Sequence, residues 1–206
     1  MAERIALIDY GAGNLRSVYN ALMAAGATAV EVTADASAVN DADRIVLPGV
    51  GAFAACMDGL SGLPGMIDAL HSAAIDRARP FLGICVGMQL LADRGEEHGV
   101  FDGLGWIGGT VKPLASKNQQ LKIPHMGWND VTPHGSPPLV EPGEAYFLHG
   151  YHVALTEPAT GYAITDHGGP VTAAIGRDTI IGVQFHPEKS QKYGLDFLSR
   201  FLEWTP

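Results

Sequence analysis

Apolar positions in the first half of the chain form short continuous runs that alternate with helically spaced ones. Arg4–Asp9 reads as a strand that stops at the glycine-rich turn Tyr10-Gly11-Ala12-Gly13-Asn14. Leu15, Val18, Leu22 and Ala25 then recur at the spacing of one helix face, and Gly26 closes that helix. Ala29–Thr33 and Arg44–Leu47 are further strand candidates, followed by a loop at Pro48-Gly49-Val50-Gly51. Met66, Ile67, Leu70, Ala73, Ala74 and Arg77 mark a helix, after which Pro80–Ile84 is a buried strand running straight into Cys85. This rhythm predicts an α/β protein with a parallel sheet covered by helices.

The second half is different. It offers the β-type runs Trp106–Val111, Trp128–Val131, Ala145–Leu148, His152–Leu155, Tyr162–Thr165, Val171–Ile175 and Ile180–Gln184. Glycine and proline clusters such as Pro133–Pro138 separate them, as in hairpins and meanders. A last helix is expected over Tyr193–Trp204, with Leu195, Leu198, Phe201 and Leu202 on one face. Repeats, low-complexity tracts and long linkers are absent from the sequence, which predicts a single domain over 1–206.

Composition narrows the function. The 206 residues are 47% hydrophobic and 17% charged, an ordinary balance for a packed domain. A net charge of −9 argues against a broad nucleic-acid or anionic-membrane footprint, which needs clustered Lys and Arg. No run approaches the ~18 apolar residues of a membrane span, and the start of the chain lacks a signal-like apolar stretch. Two cysteines, Cys56 and Cys85, read as thiols in a reducing compartment, so a cytoplasmic protein is expected.

Chemistry concentrates at Gly83-Ile84-Cys85-Val86-Gly87, a G-x-C-x-G pattern where the buried strand meets the start of a helix. The serine form of this pattern is the nucleophile elbow. A sharp strand-to-helix turn exposes the nucleophile, and flanking glycines remove the side chains that would collide. The helix N-terminus supplies N–H groups and a dipole that favour a thiolate and a developing oxyanion. The plain alternative is that Cys85 is a small buried apolar residue. Cys56, in Phe53-Ala54-Ala55-Cys56-Met57, lacks this context and reads as core packing in the first turns of a helix.

A thiol nucleophile needs a base. Among eight histidines, His186 in Gln184-Phe185-His186-Pro187-Glu188 stands out. Pro187 biases His186 toward extended backbone, where i and i+2 share a face, so Glu188 can orient the imidazole. His125, His149 and His152 are rivals without an acid at a same-face spacing. No metal site is expected, although His149 and His152 are superficially suggestive. The Pro48–Gly51 loop follows a strand of the same sheet half, so N–H groups of Gly49 or Val50, with that of Val86, could form an oxyanion hole. The alternative is a plain tight turn.

Together these segments closely resemble the class I (triad-type) glutamine amidotransferases over nearly the entire chain. The resemblance rests on the G-x-C-x-G-x-Q elbow, Gly83–Gln89, and the H-P-E segment about a hundred residues later, His186–Glu188. It implies a flavodoxin-like open sheet with helices on both faces and an added antiparallel β region. Asp9–Leu15, Pro48–Gly51, Pro124–Asn129 and Gln184–Ser190 are similar to those members that serve as glutaminase subunits of a histidine-pathway synthase. That implies glutamine as substrate, no cofactor, and a (β/α)8 cyclase subunit as partner. It further implies that Gly51, Gln89, Gly150 and Tyr151 hold glutamine, and that Asn14, Trp128 and Lys189 lie toward the partner. Gly150 departs from the pattern, where a small hydroxyl residue is expected. A glutaminase for another synthase, of the pyridoxal phosphate or anthranilate type, is the near alternative. A non-enzymatic redox or binding protein is the distant one, and the H-P-E segment argues against it.

Overall fold

The computed structural model describes residues 3–115, 121–135, 139–156 and 161–206. The first half comprises β1 (Arg4–Ile8), α1 (Leu15–Ala24), β2 (Ala29–Thr33), α2 (Ala36–Asp41), β3 (Arg44–Gly49), α3 (Phe53–Ser61), α4 (Met66–His71) and β4 (Phe81–Cys85). A one-turn helix α5 (Val86–Gln89) leads into β5 (Ala92–Gly95), β6 (Phe101–Asp102), β7 (Ile107–Pro113) and β8 (His125–Gly135). Then come β9 (Gly143–His149), β10 (Tyr151–Leu155), β11 (Gly161–Asp166), β12 (Pro170–Arg177), β13 (Ile180–Val183) and α6 (Gln191–Glu203).

Nine strands form one sheet in the order β2-β1-β3-β4-β13-β12-β11-β8-β9. The first five are mutually parallel and the last four continue the sheet antiparallel. The chain moves one way from β1 to β2 and back over β1 to β3. Right-handed crossovers of opposite direction put their helices on opposite faces. Accordingly α1 packs with α6, while α2 packs with α4. Every residue of β3 and β4 is buried, which explains their unbroken apolar runs.

The expected antiparallel region is therefore two things. Half of it extends the parallel sheet, with β13 as the joint: parallel to β4 and antiparallel to β12. The rest is a separate four-stranded sheet, β10-β7-β5-β6. Other boundaries also differ from the sequence reading. The helix over 66–77 is α4 followed by a wider π turn, Ser72–Asp76. The last helix starts two residues early, at Gln191. Pro133 lies within β8, opposite Ala163, rather than in a separator; 136–138 lie outside the described residues.

Buried side chains of both sheets belong to one hydrophobic cluster. Its aromatic centre joins β9 to α6 through Phe147, Phe185 and Phe197, with ring centroids 6.0 and 5.6 Å apart. Each such burial stabilises by about 1.5–3 kcal/mol. No described helix is long and apolar enough to cross a membrane.

Candidate active site

Three neighbouring parallel strands converge at their C-terminal ends, where open α/β sheets bind ligands. Gly49 at the end of β3 is in register with Cys85 at the end of β4, and β13 alongside leads through Gln184 and Phe185 to His186. Cys85 has φ 55° and ψ −111°, a conformation that costs a non-glycine residue on the order of 1–3 kcal/mol. The turn closes because backbone meets backbone. A Cβ on Gly83 would stand 2.6 Å from Gly87 O, and one on Gly87 would run into Leu47 O.

The helix that follows is a single turn, because the chain from Ala92 is taken into the second sheet. The field at Cys85 is therefore that of the local N–H groups of one helical turn.

Glu188 reaches His186 by another route than a shared strand face. Pro187 opens a 3-10 turn, Pro187–Lys189, closed by the Lys189 and Ser190 N–H groups donating to His186 O and Pro187 O. Glu188 Oε1 then lies 2.8 Å from His186 Nδ1, with the two side chains only 2% and 3% exposed. Since a carboxylate accepts, Nδ1 carries the proton, and Nε2 is the ring nitrogen left for Cys85, which lines the same cavity and whose thiol donates to Leu148 O at 3.9 Å. Burial opposes protonation of this ring. Hydrogen bonds and charge from Cys85 and Glu188 outweigh it and raise the His186 pKa to about 9.

Cys85 and His186 share a cavity of about 360 Å3 lined also by Val50, Gly51, Val86, Gln89, Glu97, Pro124, Leu148, His149, Gly150, Tyr151 and Lys189. That is the small end of the roughly 300–1,000 Å3 of small-molecule sites. A comparable cavity at Arg4, Ala29–Glu31, Asp35, Ser37 and Asp41 lies at the β1–β2 end of the sheet and is lined by neither cysteine nor histidine.

The sequence model of the family described as Glutamine amidotransferase class-I matches residues 6–203. The chain belongs to the class-I glutamine amidotransferases. It is 60% identical, over all of its length and 98% of the relative's, to the imidazole glycerol phosphate synthase subunit HisH of Zymomonas mobilis. It is 55% identical to the subunit of the same name from Rhodospirillum rubrum, over 98% of this chain and all of the relative. The fold is also that of a solved structure, PurLQS from Thermotoga maritima, with a TM-score of 0.70 at 19% identity over 98% of this chain and 99% of that one.

In this amidotransferase Gly51, Gln89, Gly150 and Tyr151 all border the cavity, but Gln89 is largely committed. Its Nε2 donates to Tyr151 O and to Gln184 Oε1, each at 3.0 Å. Gln184 Nε2 in turn donates to the Cys85 sulfur at 3.6 Å. Gly150 has room for a side chain, since a Cβ there would meet nothing nearer than Ile123 Cγ2 at 3.9 Å. The sequence reading missed Glu97, whose loop Arg94–Gly99 carries only the signature of an exposed turn. Its Oε2 accepts the Phe53 N–H at 2.7 Å at the start of α3.

Lys189 lines the cavity as well as the outer surface. Its ammonium lies 5.9 Å over the Tyr146 ring, and Trp128 meets that ring edge-on at 6.1 Å. Asn14 is exposed and caps α1, the helix beside the 187–189 turn, by accepting the Ser17 N–H at 3.4 Å. Alternation along β8 turns Met126 and Trp128 outward, 67% and 46% exposed, while His125 is buried.

The rival histidines form a directional array. His149 Nδ1 faces Tyr151 O at 2.8 Å, and a carbonyl can only accept, so Nδ1 bears the proton. His149 Nε2 must then accept from His125 Nδ1 at 3.1 Å, and His125 Nε2 accepts from Asn129 Nδ2 at 3.1 Å. Both rings are neutral in this arrangement. Burial lowers the His149 pKa to about 3 and that of His125 to about 4, with neighbouring histidines adding to the effect. Neither ring is a general base; together they hold the Tyr151 carbonyl that also receives Gln89.

Proposed function

We propose that the chain is the glutaminase subunit of an imidazole glycerol phosphate synthase. It hydrolyses glutamine to glutamate and ammonia and delivers the ammonia to a (β/α)8 cyclase subunit for histidine biosynthesis. The observation that carries this reading is the buried His186, oriented by the Glu188 carboxylate and sharing with Cys85 a cavity sized for an amino acid. The two relatives reported above, named as subunits of that synthase, supply the pathway.

The sulfur of Cys85 attacks the carboxamide carbon while its proton is held on His186 Nε2. The oxyanion is met by the Val86 N–H and by N–H groups of the Gly49–Gly51 loop. His186 returns the proton to the leaving nitrogen, ammonia departs, and a γ-glutamyl thioester remains. Water, deprotonated by the same ring, attacks the thioester; glutamate leaves and the thiol is restored. Glu188 keeps Nδ1–H fixed and favours the imidazolium through both halves. At the other end of the substrate, Glu97 and Lys189 offer opposite charges to the α-ammonium and α-carboxylate, beside the backbone of Gly51, Gly150 and Tyr151.

The cyclase docks on the apolar rim of the cavity. Met126, Trp128 and Leu148 are exposed there next to Lys189, with Asn14 on the flank. An exposed apolar patch at the mouth of a site whose product is a small diffusible base fits a partner that encloses the exit. The chain acts as one domain, as its continuous core suggests, and its two free thiols suit the cytoplasm.

Cys85→Ser in the complex is expected to abolish glutamine-dependent synthesis and leave ammonia-dependent synthesis intact. Loss of both, or retention of both, would overturn the division of labour.

A further inference from the structure

Behind the Pro48–Gly51 loop, on the side away from the cavity, two protonated side chains grip two of its carbonyls. The Tyr10 hydroxyl donates to Pro48 O at 2.7 Å, and the Cys56 thiol donates to Val50 O at 3.5 Å. These groups come from separate places, the turn after β1 and the second turn of α3. Two glycines bring them in. A Cβ on Gly59 of α3 would stand 2.6 Å from Tyr10 O, and one on Gly49 would stand 2.8 Å from the Tyr10 hydroxyl. Tyr10 and Cys56 are 6% and 1% exposed. Burial raises the pKa of both groups, so each keeps the proton it donates.

A trans peptide points its C=O and N–H in opposite directions. With Val50 O turned toward Cys56 in the core, the Gly51 N–H is turned the other way, toward the cavity that Val50 and Gly51 line. With Pro48 O fixed by Tyr10, the preceding peptide is fixed too. Among the described residues the Gly49–Val50 peptide between them has no side-chain anchor of this kind and can adjust its N–H to an oxyanion on Cys85.

We propose that Tyr10 and Cys56 are positioning residues for the oxyanion loop: they pin the carbonyls of Pro48 and Val50 and thereby preorganise the N–H groups offered to the tetrahedral intermediate. This rests on the assignment of the 49–51 loop as an oxyanion donor. Preorganised donors act in the transition state more than in the ground state, so the effect belongs in kcat.

The test uses the complete complex with its cyclase. Tyr10→Phe keeps the ring and deletes the donor; Cys56→Ala deletes the other; Cys56→Ser restores a hydroxyl donor that reaches Val50 O by a small shift. Removing an oxyanion donor outright costs about 10²–10³ in kcat, so loosening one is expected to cost roughly tenfold with KM nearly unchanged. Cys56→Ser should recover much of the loss of Cys56→Ala, which a packing role would not produce because both are smaller than cysteine. In the Cys85→Ser background Cys56 is the remaining thiol of the chain. Its infrared S–H stretch should lie below that of a free thiol if it donates to a carbonyl. A free-thiol band, a kcat unaffected by Tyr10→Phe and Cys56→Ala, or a loss confined to KM would each overturn the proposal. If the wild-type complex turns over glutamine normally in those experiments, the function proposed above stands regardless.

Discussion

Glu188→Gln removes one negative charge from beside His186 Nδ1 and leaves an amide oxygen of the same shape to accept its proton. In the native protein the ring is held at about 9 against an ordinary 6.5, despite burial that pushes the other way. The difference amounts to roughly 3 kcal/mol in favour of the imidazolium. A unit charge at about 4 Å contributes on the order of 4 kcal/mol at an effective dielectric constant of ~20. Loss of that charge removes Glu188's share of the elevation and leaves the part that Cys85 supplies, so the ring should titrate below its native value. Two readouts should follow together. The ring titration of His186, followed by NMR, should move down from about 9, and glutamine-dependent kcat should fall by about 10²–10⁴-fold, the range for a positioned acid–base pair. The raised pKa also contributes stability that is complete below about 6.5 and is lost as pH rises through about 9. Urea titrations should show this alkaline decline in the native chain and a smaller one in the variant. An unchanged His186 titration together with an unchanged kcat would refute the role assigned to the carboxylate.

Gly87→Ala should destabilise by roughly 3 kcal/mol or more, because its Cβ would run into Leu47 O with backbone on both sides; a thermal melt decides this. The neutral pair His125 and His149 sets an acid limit. Their lowered values mean that the unfolded chain gains protons first, so stability should fall as pH drops below about 6.5 and level off near 3 to 4. Denaturant midpoints across that range, with His149→Asn flattening the slope, are the check. Met126→Asp and Trp128→Ala should weaken cyclase binding by roughly tenfold or more while leaving the unfolding midpoint of the free chain unchanged. Calorimetric titration of the two subunits measures it, and equal affinity would remove the docking face from that edge.

Local chemistry is legible in a string of residues. Gly83 against Gly87 around Cys85 and the proline after His186 act within a few residues, through sterics that any chain context preserves, whereas the demand for glycine at 87 comes from Leu47 on the neighbouring strand. The alternating strands and helices of the first half are legible for the same reason, since periodicity reports burial one element at a time. Contacts between distant segments left no such mark. Gln184 and Gln89, 95 residues apart, meet beneath the sulfur, and His125 and His149, 24 residues apart, are hydrogen-bonded ring to ring. Glu97 enters the cavity from a loop whose sequence is that of an ordinary surface turn. Strand pairing is also non-local: nothing in the runs of β8 and β11 distinguishes joining the main sheet from joining the second one, because β7 of the second sheet buries alternate side chains as they do. The decision lies in β13, whose two edges take one parallel and one antiparallel neighbour, and it is through that strand that His186 arrives next to the cysteine.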